Sequence, residues 1–284
     1  MGLFRTRTPG LQRISGSLVS EARTLLLRHP RENALAGGRF DDLARVGQVG
    51  REFSGVMDGG EVTALLWHGV SLGVLEATRS EQHRAIAGFV RGQRTRYASL
   101  VGERTQVAAL WPLIAPHLGP AREIRGHQPL LEASAAPSAP RHPGVRRALP
   151  TELDVVYPAA RAMFLEEVGV DPARADGGRS YRARVLELLQ AGRTYVVRDG
   201  ESVVFKADVG AVFGPVAQIH GVWVDPASRG RGIAKAAMVA VAEQVAREHA
   251  PQVTLYVNDF NARARAAYAA AGFVEVGQLA TVLL

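Results

Sequence analysis

Apolar positions recur along the chain at two spacings, and together they predict alternating helices and strands. Ile233, Ala237, Val241 and Val245 stand four apart, so Arg231 to His249 is predicted as an amphipathic helix. Val253 to Val257 alternates apolar and polar residues, the period of a half-buried strand. Val216 to Val224 is predicted as a longer strand. Thr194 to Arg198 and Val203 to Asp208 flank Asp199-Gly200, a favoured hairpin turn pair. Glu152 to Val168 and Ser180 to Gln190 are helical by spacing, and Val145 to Arg147 is a short strand. Ala262 to Ala271 is an Ala-rich helix with Asn261 as N-cap and Gly272 closing it, and Phe273 to Leu284 ends the chain as strand. The first half mixes strands at Val62 to Trp67, Tyr97 to Val101 and Ala121 to Leu131 with helices at Glu81 to Arg94 and Thr105 to His117. Thr105 is the expected cap of the last helix, and Pro112 lies inside it.

The pattern lapses from Glu132 to Gly144, where Pro137, Pro140 and Pro143 stand among Ala and Ser. Such a composition predicts a semi-extended linker. The expected organisation is a flexible leader at 1–20, an α/β domain at 21–131, the linker at 132–144 and a second domain at 145–284. No sequence repeat of solenoid period is found.

Composition narrows the function classes. The chain has 284 residues, 47% apolar and 21% charged, which fits a folded globular protein. The absence of cysteine excludes a disulfide scaffold, a thiolate metal site and a thiol nucleophile. No run of 18 apolar residues exists, so no membrane-spanning helix is expected. The Arg-rich first residues lack the apolar core of a secretory signal, and a cytoplasmic location is expected. The net charge of +7 is uneven: residues 1–150 hold 20 Arg against 12 acids, and residues 151–284 hold 14 basic against 15 acidic residues. No basic block with interleaved aromatics accompanies it, so a nucleic-acid partner is not expected. The histidines are scattered, and no metal is expected.

The strongest chemical signal is the segment VWVDPASRGRGIAK, from Val222 to Lys235. A strand ends at Asp225-Pro226, a glycine-rich loop follows and a helix begins. Gly230 and Gly232 permit close backbone approach, and successive N–H groups point outward where the helix dipole is positive. Arg229, Arg231 and Lys235 add charge. The arrangement suits phosphate oxygens, a pyrophosphate above all. It matches neither a Walker A loop nor a Rossmann fingerprint, since Lys235 stands in place of the third glycine. It does match Arg/Gln-x-x-Gly-x-Gly/Ala, from Arg229 through Gly232 to Ala234, a spacing found nowhere else in the chain.

With VTLYVNDFNARARAAYAAAGF downstream, this segment resembles the Gcn5-related N-acetyltransferase (GNAT) family over about residues 145–284. The resemblance implies a mixed, mostly antiparallel splayed sheet flanked by helices, and acetyl-CoA as cosubstrate. It implies that the loop, with Arg229, Gly230, Arg231, Gly232, Ile233, Ala234 and Lys235, holds the pyrophosphate. The backbone of Val222, Trp223 and Val224 would pair with the pantetheine arm, and Asn261 would face the cofactor. Tyr268 matches the family tyrosine that protonates the departing thiolate; read without the motif, it is a packing tyrosine on an Ala-rich helix.

The base is less defined. Positions where the family often carries an acid hold Gln218 and Tyr256 here. His220 shares strand parity with Gln218 and is a candidate base, beside a water relay or an amine that arrives neutral. Glu166, Glu167 and Asp171 stand where related enzymes place acceptor-binding residues, and otherwise form a solvated helix face. Gly69 to Gly73 spells Gly-x-Ser-x-Gly, but strand follows it instead of helix, so a hairpin is predicted and not a hydrolase elbow.

VTALLWHGVSLGVLEA and VAALWPLIAPHLGPAREIRGHQPLL resemble the uncharacterised domain (DUF4081-like) that precedes GNAT domains in actinobacterial proteins. This α/β half is compatible with a degenerate GNAT-like fold and lacks the phosphate-loop motif. The expected function is acetyl transfer to a primary amine, small or peptidic, by direct attack on the thioester, in a monomer or homodimer. The alternative is a non-catalytic CoA-binding or regulatory module.

Overall fold

The structure, a computed structural model, describes residues 10–174 and 176–284. The chain forms two compact units. One takes in the chain up to Leu130 together with Gly277–Leu284, and the other is Leu131–Val276.

The described part of the first unit begins with strand β1 (Gly10–Arg13) and helices α1 (Leu18–Leu26) and α2 (Ala34–Arg45). Strands β2 (Phe53–Asp58), β3 (Glu61–His68) and β4 (Leu72–Leu75) follow, then α3 (Ser80–Arg91), β5 (Ser99–Glu103), α4 (Arg104–Leu118) and β6 (Glu123–Ala133). Strands β1 to β4 pair antiparallel in sequence, and β4 runs parallel to β5. One core lies between this sheet and the apolar stripes of α3 and α4, through Leu66, Val74, Ile86, Leu100 and Leu110.

After β6 the same order repeats: β7 (Arg146–Arg147), α5 (Leu153–Val168), α6 (Arg179–Gln190), β8 (Thr194–Asp199), β9 (Ser202–Phe213), β10 (Val216–Val224), α7 (Ile233–Glu248), β11 (Gln252–Tyr256), α8 (Ala262–Ala270) and β12 (Phe273–Leu283), the last of which passes into the first unit at Gly277. The pairing repeats as well, since β7 to β10 are antiparallel in sequence and β10 runs parallel to β11. Alternate residues of the strands feed two cores. Phe205, Val209, Ile219 and Leu255 pack with Met238 and Val241 of α7, whereas Val196 and Trp223 pack with Val156 and Met163 of α5. The last residues of β12 pair with β5, Leu279↔Glu103 to Leu283↔Ser99.

Three expectations need correction. Of the expected leader, residues 1–9 lie outside the described residues, but Gly10–Arg13 is an edge strand on β2 and Ile14 is fully buried. The cap of α4 is Glu103, whose carboxylate accepts from the N–H of Thr105 and Gln106. The proline-rich stretch is not loose: Ser134 and Ala135 donate to Gly272 O, Ser138 and Ala139 to Ala270 O, and His142 to Ala236 O. Gly69 to Gly73 spans the β3–β4 hairpin, as its strand-like flank implies. No helix among the described residues is long and apolar enough to cross a membrane.

Candidate active site

The site begins where β10 and β11 part. Their parallel pairing runs from Val216↔Gln252 to Ile219↔Leu255, while β10 continues to Val224. On its other side β10 carries a bulge: His220 faces Asp208 and Trp223 faces Lys206, so Gly221 and Val222 together oppose Ala207. Gly221 stands at φ +56°, a left-handed conformation that suits glycine. The bulge changes the facing of the residues beyond it and leaves Val222 to Val224 along the parted edge.

A 3₁₀ turn, Pro226–Ser228, then leads into the glycine-rich loop. Gly230 (φ +78°) and Gly232 (φ +77°) are both left-handed, and Gly232 is the N-cap of the 16-residue α7. The N–H groups from Gly230 to Lys235 donate to no described residue. An added Cβ at either glycine meets nothing within 4 Å. A row of free amides at the positive end of a helix dipole, with open space before it and exposed Arg231 and Lys235 beside it, has the geometry that suits an anion.

Arg229 is otherwise engaged. Its Nη2 donates to both carboxylate oxygens of Glu166 on α5 (2.9 and 2.8 Å), and its Nε donates to Val224 O (3.0 Å). Trp223 Nε1 also donates to Glu166, at 3.2 Å. Glu166 is therefore neither a bare solvated residue nor free for an acceptor; it ties α5 to the end of β10. Asp171 likewise takes two bonds from Arg161, which hold its carboxyl down at about 2.

Asn261 caps α8, its Oδ1 accepting from Ala264 N at 3.1 Å. Tyr268, two turns on, is 7% exposed and packs against Phe273. Burial, aided by the charge of Glu167, pushes its phenol well above the ordinary tyrosine range, so it is a protonated donor at neutral pH. His220 is half-buried, with its ring edge-on to Tyr256 at 5.6 Å. Its Nε2–H donates to Gln218 Oε1 at 2.8 Å, which leaves Nδ1 as the lone-pair nitrogen. Burial drives the imidazole down to about 4, against the opposing charge of Asp208. It is neutral at pH 7 and weakly basic.

Sequence reasoning missed Lys206, Asp208 and Thr194. Lys206 is 1% exposed and pairs with Asp208, whose other oxygen accepts from Thr194 Oγ1 at 2.8 Å. The available signal was a Lys and an Asp two apart in an apolar strand, which puts opposite charges on one face.

The equivalent turn of the first unit is closed by the chain's own side chains. Between β4 and α3, Ala77 N donates to Gln106 Oε1, and Thr78 N and Arg79 N both donate to Gln82 Oε1, all at 2.9 Å. Gln82 is itself buried, with its Nε2 spent on Thr63.

Residues 171–273 match the acetyltransferase (GNAT) family, and residues 51–156 match a domain of unknown function (DUF4081). A mycothiol acetyltransferase of Nocardioides sp. is 40% identical over 73 residues, a stretch that spans 25% of this chain and 25% of that protein. Among solved structures, a GNAT-family acetyltransferase of Colwellia psychrerythraea is similar over 96% of this chain and 99% of its own, at TM-score 0.57 and 12% identity. A tandem GNAT protein from the clavulanic acid biosynthesis pathway is similar over 96% and 98%, at TM-score 0.58 and 17% identity. At these identities the structural likeness establishes the fold. The chain thus carries a segment that matches the GNAT acetyltransferase family, preceded by one that matches DUF4081.

Proposed function

We propose that the second unit is an acetyl-CoA-dependent N-acetyltransferase for a primary amine, small or peptidic. The row of free amides from Gly230 to Lys235 beside the parted edge of β10 carries this reading. The residues present fit the cosubstrate: the glycine cradle takes a pyrophosphate, the Val222–Val224 edge offers strand-type bonds to an amide-bearing arm, and Asn261 opens the next helix. Acetyl-CoA supplies the activated thioester. Amides of the Val222–Val224 stretch that face away from β9 donate toward the developing oxyanion, and Tyr268 gives the proton that the leaving thiolate needs. His220 stays neutral and relays a proton weakly through Nδ1, which favours an amine that arrives uncharged. The first unit takes no CoA at its own turn, because Gln82 and Gln106 already accept from the amides there.

The test is thiol release from acetyl-CoA by the full chain, across a panel of small amines, amino sugars and peptide N-termini. Amine-dependent release that Tyr268→Phe slows is expected. Acetyl-CoA binding without turnover on any amine would replace this reading with a CoA-binding module.

A further inference from the structure

We propose that Lys206, Asp208 and Thr194 form a buried clamp that sets the acyl-facing edge of β10, acting as positioning residues through the Gly221 bulge. The inference rests on the acetyltransferase reading of that edge. The three residues come from neighbouring strands, Thr194 of β8 directly opposite Asp208 of β9, and Lys206 opposite Trp223 of β10. Lys206 Nζ donates to Asp208 Oδ2 and to the Gly221 carbonyl at 3.3 Å, and Thr194 Oγ1 holds the other Asp208 oxygen. The ammonium therefore grips β10 at the residue where the bulge changes its facing, immediately ahead of the Val222–Val224 amides.

Stability alone does not explain the arrangement. Burying two charges costs desolvation that their attraction only partly returns, and a well-packed apolar pair commonly does as well or better. What an apolar pair lacks is a donor for the Gly221 carbonyl. Carbonyl and bulge then relax together, and the amides beyond them lose their fixed aim. Asp208 keeps Lys206 turned inward, and Thr194 keeps Asp208 in its rotamer. None of the three needs to touch substrate.

The experiment uses the full chain carrying Lys206→Met together with Asp208→Leu, which removes both charges and leaves neither unpaired. The thermal midpoint is expected to hold, and the acetyl-CoA Kd to stay within about threefold. The kcat is expected to fall at least about tenfold, well beyond the change in KM for acetyl-CoA, and amide exchange in the peptide 219–225 to quicken by about tenfold. A merely structural pair would leave kcat and that exchange at wild-type values once the fold is kept, and this result overturns the proposal. Exchange is read without turnover, so it decides the clamp even if no amine proves to be a substrate, an outcome that would instead count against acetyl transfer. If the double variant fails to fold, Thr194→Val is read by the same two measurements. A smaller loss in both, about threefold, supports the clamp, and no change in either refutes it.

Discussion

Gly232 offers the sharpest separation of backbone from ligand. It sits at φ +77° as the N-cap of α7, and its missing Cβ faces open space within the cradle. In Gly232→Ala the methyl meets no protein atom, so its cost is the left-handed backbone, about 1–2 kcal/mol. If the loop relaxes to escape that strain, binding must restore it. At about 1.4 kcal/mol per tenfold, acetyl-CoA then binds roughly five- to thirtyfold more weakly. Gly232→Trp carries a similar backbone cost and also fills the space where the pyrophosphate is proposed to sit. Comparing the two substitutions cancels the strain and leaves the volume. Calorimetric titration should find weakened binding by the Ala variant and none by the Trp variant, with similar far-UV circular dichroism and thermal midpoints for both. A Trp variant that binds acetyl-CoA as tightly as the Ala variant would refute the placement of the ligand at this loop.

Tyr268→Phe should lower kcat by about 100-fold while leaving the acetyl-CoA Kd unchanged, as expected for loss of a proton donor; stopped-flow thiol release reads the first and calorimetry the second. The raised phenol also predicts that wild-type activity shows no acid-loss limb below the ordinary tyrosine range, so a fall beginning near pH 8 would count against this role. His220 titrates near 4 when folded against an ordinary 6.5, so the unfolded chain binds the extra proton between those values. Stability should therefore be full above pH 6.5 and decline as pH falls toward 4, and His220→Asn should flatten that part of a urea-denaturation pH series. A chain starting at residue 145 ends in Gly277–Leu284 without β5, leaving the normally buried Leu279, Ala280 and Val282 uncovered. It should aggregate or melt at lower temperature than the full chain by scattering and calorimetry, and a monomer of unchanged melting temperature would disprove this.

The legible parts of the molecule are those written in local pattern. Val216–Val224 carries a strand run bounded by Asp225-Pro226, and α7 carries its stripe behind Gly232, so β10, the loop and the helix followed from spacing and backbone chemistry. Asn261 as cap of α8 followed for the same reason. What escaped depends on partners distant in sequence. Gly10–Arg13 is strand because β2 lies beside it, and the proline-rich stretch is held by carbonyls of Ala270 and Gly272 that composition does not reveal. The doubled architecture was hidden because the units share element order and pairing without a sequence repeat. The Lys206–Asp208 pair was hidden because burial of a charge depends on tertiary surroundings. Arg229 was read as adding charge to the phosphate loop, whereas Glu166, 63 residues earlier in the chain, holds its guanidinium.

The stoichiometry of acetyl-CoA binding to the full chain tests the central reading most directly. The free amides of Gly230 to Lys235 and the amides closed by Gln82 and Gln106 predict one molecule per chain by calorimetric titration, lost in Gly232→Trp. Two molecules per chain, or none, would contradict it.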